Sequence, residues 1–257
     1  PHAGVVPDHW VRAGTLELAL CPPGLPAARC GDVDAVDSTA ASSLLVADAY
    51  LRHGGDVALL REPPVRALLE AAATAVRALT DGDGLSLAKR SHPVVYTMDA
   101  VEVIAGWRAW ARLQRQAYAQ PQSALLSEAA ATRAEAGLQA VLWDGRAGAW
   151  RVHAGAPAPQ RQRWYPDTVA QAWPLLWGAD AGAPGRAGRA WHQAQLAWQQ
   201  PHWARKTADP AGFWWPAAAV AALCTGDEPA ARAWVARARP RWLDSRQPFA
   251  WPFQASD

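Results

Sequence analysis

The sequence predicts an all-α protein built from helical hairpins. Three observations lead there. Apolar residues recur at helical spacing in several long segments. Alanine, the best helix former, fills much of the sequence around them. No regular strand–helix alternation marks a parallel sheet.

The elements follow in order. Residues 1–35 read as loop, with one short extended piece at Thr15–Leu20. A helix is expected at about 38–52, closed by the turn "HGGD" at 53–56. Val65, Leu68, Leu69, Ala72, Val76 and Leu79 mark the apolar stripe of the next helix, and "DGDG" at 81–84 ends it. Val103, Ile104, Trp107, Trp110 and Ala111 mark another stripe. Leu125, Leu126, Ala129, Leu138, Val141 and Leu142 mark a third. The loop "WDGRAG" (143–148) leads into an extended piece at Ala149–His153. Further helices are expected at about 167–177, 186–200, 214–225 and 228–238. The whole of 1–257 reads as one domain, long enough to bury a substantial core. Antiparallel helix pairs of this kind build a bundle, a solenoid or a closed double ring.

Composition narrows the partners. Hydrophobic residues make up 51% and charged residues 19%, a globular balance. The formal charge is +2 and the arginines are scattered singly, so no nucleic-acid footprint is expected. The apolar run Phe213–Cys224 is about half of the ~20 residues a membrane span needs, and Pro216 breaks it. No signal peptide is visible, and the chain starts at Pro1. Cys21 and Cys30 share a Pro/Gly-rich loop and either close a small disulfide or remain thiols. Cys224 reads as a buried thiol. Sixteen Trp against four Tyr and three Phe suit either helix packing or a cleft that stacks sugar rings.

Acids and aromatics gather where helices begin. Asp37 precedes Ser38 and a helical run. Asp99 is followed by Glu102, and Asp167 lies between Tyr165 and Trp173. Each acid taken alone reads as a helix cap, and Asp99 with Glu102 has the spacing of a capping box. Their recurrence supports a different reading. If the helices form a ring, alternate helices run the same way and their N-termini meet at one mouth. Carboxylates there, among indole rings, are what acid/base cleavage of a glycosidic bond requires.

Three stretches carry a family resemblance: "DSTAAS" (37–42), "YTMDAVEVIAG" (96–106) and "YPDTVAQAWPLLWG" (165–178). In this order they resemble bacterial members of the six-hairpin glycosidase superfamily, over about residues 29–225. The resemblance implies an (α/α)6 toroid and a polysaccharide hydrolase or lyase. A full toroid has twelve helices, so this ring is expected to be incomplete on its N-terminal side. Where the first motif often has a second acid and an aromatic, this chain has Ala40 and Ser42.

The expected function is therefore a glycoside hydrolase acting on an oligo- or polysaccharide, periplasmic or secreted, with no cofactor. The catalytic candidates are Asp99, Glu102, Asp167 and Asp37. The sugar-binding candidates are Trp107, Trp164, Tyr165, Gln171, Trp214 and Trp215. One alternative is a glycan-binding or polysaccharide-assembly protein without catalysis. Another is a polysaccharide lyase using Tyr165 with Arg163. A terpene-cyclase-like enzyme ranks below these, because "DVDA" (32–35) lacks the last acid of its motif. No metal site is expected. "GDVDAVD" lacks the glycine and distal Glu of a calcium loop, and the seven histidines are dispersed.

Overall fold

Helix starts are written locally in this chain, and the computed structural model shows how. It describes residues 11–12, 18–19, 35–160, 163–179, 185–198 and 217–242. Cys21, Cys30, Trp214 and Trp215 lie outside the described residues, as do Asp32 and Asp34. The chain divides into two compact units, Pro1–Leu138 and Gln139–Asp257. Nearly all the described regular structure is helical. The exceptions are two small antiparallel ribbons, β1 (Val11–Arg12) with β2 (Leu18–Ala19) and β3 (Trp143–Asp144) with β4 (Ala149–Trp150).

The first unit contains α1 (Val36–Arg52), α2 (Val57–Arg61), α3 (Pro63–Leu79), α4 (Thr97–Gln116) and α5 (Pro121–Gly137). Prolines open α3 and α5, where the missing N–H is no loss because the first turn has no partner for it. Helix α2 was not foreseen. It is five residues long, too short to show a period, and the Asp56 side chain caps it by accepting from the Ala58 N–H.

Side-chain pairs give the helix directions. Ala41 meets Gly106 and Asp48 meets Arg112, so numbers rise together and α1 runs parallel to α4. Arg108 pairs with Glu135 and Arg115 with Glu128, so α5 returns antiparallel to α4. At the end of α3, Thr80 pairs with Ser86, whose hydroxyl reaches Asp37 at the start of α1; α3 is thus antiparallel to α1. The core joins Leu44, Leu69, Val76, Val103, Trp107 and Leu113. Gly106 lets α1 and α4 approach closely, since a Cβ there would lie 2.9 Å from the Ala41 Cβ.

The third apolar stripe needs correction. Leu125 and Leu126 are 54% and 74% exposed. The face of α5 turned inward carries Ala124, Ser127, Ala131 and Ala134. Ser127 donates to the Gln114 side chain at 2.8 Å, and Glu135 accepts from Arg108. Partners on α4 for the polar groups, together with small residues that allow close approach, outweigh burial of the two leucines.

In the second unit the predicted loop "WDGRAG" supplies β3 and the turn of the ribbon, and β4 opens the extended piece expected at Ala149–His153. The Asp144 side chain accepts from the Arg146 and Ala147 N–H groups, and Gly148 takes φ +61°, which closes the turn. A π-helical segment, Trp164–Thr168, precedes α6 (Val169–Leu176). The Tyr165–Pro166 peptide is cis. Helices α7 (Arg186–Trp198), α8 (Ala217–Cys224) and α9 (Glu228–Trp242) follow among the described residues of this unit. Trp150 and Trp191 are fully buried, whereas Trp177 is 38% exposed. Cys224 is exposed, contrary to expectation, because α8 turns Ala218, Ala219, Ala221 and Ala222 inward and Cys224 sits beyond that face. Among the described residues, no helix is long and apolar enough to cross a membrane.

Candidate functional site

Because α1 and α4 run parallel, their N-termini lie at one end of the first unit. The segment from Thr80 to Tyr96 folds over that end. Leu87 N–H bonds to Leu79 O, Ala88 N–H to Val94 O, and Val36 N–H to Ala88 O at 2.7 Å, so this segment is tied to the first turn of α1.

Asp37 is the second residue of α1 and is fully buried. Its carboxylate accepts from the Ser86 hydroxyl at 2.6 Å and from the Ser38 N–H at 2.8 Å. It anchors the covering segment instead of facing a ligand. Burial pushes its pKa above the ordinary 3.8, outweighing the opposing pull of the Ser86 and Ser38 bonds. The folded chain therefore holds this proton more tightly than the unfolded chain. That stabilisation is complete below the unfolded pKa and is lost as pH rises through the folded one. Asp37→Asn keeps an oxygen for the Ser38 N–H and turns its amide towards the Ser86 oxygen. The variant is expected to unfold at or above the wild-type temperature at pH 7, with any advantage vanishing towards pH 3. Thermal unfolding followed by circular dichroism across that range checks it, and a larger deficit at pH 7 than at pH 3 would contradict it.

Asp99 and Glu102 are half-buried. The capping box expected from their spacing is not formed by Asp99, because α4 starts earlier. Tyr96 occupies the cap position without a side-chain bond, and Asp99 is the third helical residue. Three residues apart, the two acids share one side of the helix. Sequence reasoning missed His92, which meets Tyr96 at the cap position of α4. Its Nε2 lies 2.9 Å from the Tyr96 hydroxyl, and the two rings stack with centroids 6.0 Å apart. The tight turn joining Lys89 to His92, which brings His92 to Tyr96, left little trace in the sequence.

In the second unit Asp167 is 3% exposed. One oxygen accepts from the Gln160 N–H at 2.8 Å, and the other is ion-paired with Arg163. Trp164 is buried, whereas Tyr165 is 53% exposed. Gln171, expected to meet a sugar hydroxyl, is fully buried. Its amide accepts from Trp150 N–H and donates to Trp150 O and Asp167 O. In the first unit Trp107 is 3% exposed and belongs to the core, with the Arg77 guanidinium over its ring. Tyr165 is thus the ring open to solvent among the described sugar-binding candidates. Among the described residues no group of three or more His, Cys, Asp or Glu is arranged to hold a metal ion.

No protein-family model matches the chain, and no curated protein matches it.

Proposed function

We propose that the chain is a carbohydrate-active protein of the α/α-toroid type and that it hydrolyses glycosidic bonds through Asp99 and Glu102. One observation carries this reading: α1 and α4 are parallel, and a half-buried carboxylate pair stands at the shared N-terminal end. Parallel neighbours joined through antiparallel partners are what a ring of helical hairpins requires. Asp99 lies within the first turn, where the positive end of the helix dipole favours a carboxylate; it is the base that activates water. Glu102, beyond that turn, is the acid that protonates the leaving oxygen. A polysaccharide substrate would place the protein outside the cytoplasm.

The test is release of reducing ends from a panel of polysaccharides. Asp99→Asn and Glu102→Gln are each expected to lower cleavage by about a hundredfold or more, with unchanged circular dichroism. Full activity in both variants would refute the assignment.

A second reading, glycan binding without cleavage, draws on Asp37 and Asp167. Both are buried and both accept bonds within the chain, so these two acids serve the fold. Binding to a glycan array with no turnover would favour it. The lyase reading is weaker, because Arg163, its cation, is paired with Asp167.

A further inference from the structure

The first unit carries a groove of about 810 Å³ that includes none of Asp37, Asp99 or Glu102. This volume is within the roughly 300–1,000 Å³ typical of small-ligand sites. Helices α3 and α5 form its walls, and Trp107, Trp110 and Gln114 of α4 form its floor.

Its charge is the informative feature. Arg77 on one wall and Arg133 on the other are exposed, and neither has a carboxylate partner among the described residues. Both are held in place. The Arg77 guanidinium lies 5.6 Å from the Trp107 ring centroid, a cation–π contact. The Arg133 stem packs against Gly84, where φ is +83° and a Cβ would come within 2.8 Å of the arginine Cγ. The acids in the lining cancel this charge only in part. Glu70 is paired with Arg66, and a single remaining acid, Asp81, directs one oxygen to the N–H groups of Asp83 and Leu85. With Glu70 matched by Arg66, two arginines face one acid, and the groove keeps a small positive excess. Gln120 and Ser123 add side chains with no partner among the described residues, and Leu126 supplies an exposed apolar rim.

A planar guanidinium on each wall suits carboxylates by paired hydrogen bonds. Free amide and hydroxyl groups suit sugar hydroxyls, and an apolar rim suits the C–H face of a sugar ring. We infer that this groove binds a uronate-bearing oligosaccharide, at a site separate from the Asp99–Glu102 pair. The inference rests on the carbohydrate reading proposed above for its choice of an acidic sugar over other carboxylates.

Isothermal titration of the intact chain with tetragalacturonate, its fully methyl-esterified neutral form and inorganic phosphate tests the site. The acid is expected to bind and the ester to bind at least about tenfold more weakly. Arg77→Gln and Arg133→Gln should each weaken the acid about tenfold. Both positions are exposed, so the variants are expected to fold, and circular dichroism checks this. Equal binding of the ester, unchanged affinity in the double variant, phosphate binding as tight as the tetramer, or no binding at all would each overturn the inference. The two proposals fail separately. Loss of cleavage in Glu102→Gln with tetragalacturonate binding intact leaves both standing. A wild-type chain that binds but never cleaves removes only the hydrolase reading, and one that cleaves but does not bind in the groove removes only this one.

Discussion

Gln171→Leu is expected to destabilise the second unit by about 3 kcal/mol or more. The substitution keeps an apolar body of similar size but deletes an amide that makes three buried hydrogen bonds. It leaves Trp150 N–H, Trp150 O and Asp167 O without that partner, and each orphaned buried group costs about 1–3 kcal/mol. The loss should appear as a large drop in unfolding temperature and as protease sensitivity between Gln139 and Trp198. This outcome separates two roles for the residue. A sugar-contacting Gln171 would leave unfolding unchanged and weaken only glycan binding; a clamp between β4 and α6 does the reverse.

Arg112→Met is expected to cost about 3 kcal/mol in the first unit. Asp48 is 1% exposed and holds Arg112 by two bonds, 2.9 and 2.7 Å, and Arg52 by a third at 2.9 Å. Removing one partner of a buried pair leaves a charge that water does not reach, typically at 3–5 kcal/mol. Arg52 remains here and keeps the loss near the lower end. The two arginines are themselves 39% and 56% exposed and can turn to solvent. Adding Asp48→Leu to Arg112→Met should therefore restore part of the stability, because it removes the buried charge. Denaturant unfolding of the wild type, both single variants and the double variant measures the coupling. A double variant less stable than either single one would show that these bonds act independently.

Much of the helical framework was legible because its signals are local. The stripe from Val65 to Leu79 needs only a 3.6-residue period to be seen, and the turn "DGDG" marks where its helix ends. Local signals also misled. Leu125 and Leu126 looked like core because they are large and apolar, but Ser127 and Glu135 have partners on α4 and turn the opposite face inward. The five-residue α2 is too short to display a period. The capping box at Asp99 had the right spacing but the wrong register, since α4 begins at Thr97.

The acids divide in the same way. Their position near helix starts is a property of the sequence. Their availability depends on what covers them, and covering groups come from elsewhere in the chain. Ser86 reaches Asp37 across 49 residues, and Trp150 meets Gln171 across 21. By itself, the sequence determined the helical class and most helix positions, because periodicity and turn chemistry act within a few residues. Only the tertiary structure decided that α1 and α4 run parallel, that Asp37 and Asp167 are buried while Asp99 and Glu102 keep a half-open side, and that Gln171 binds backbone. Burial and hydrogen-bond partnership are set by packing between distant segments, and residue spacing alone does not encode them.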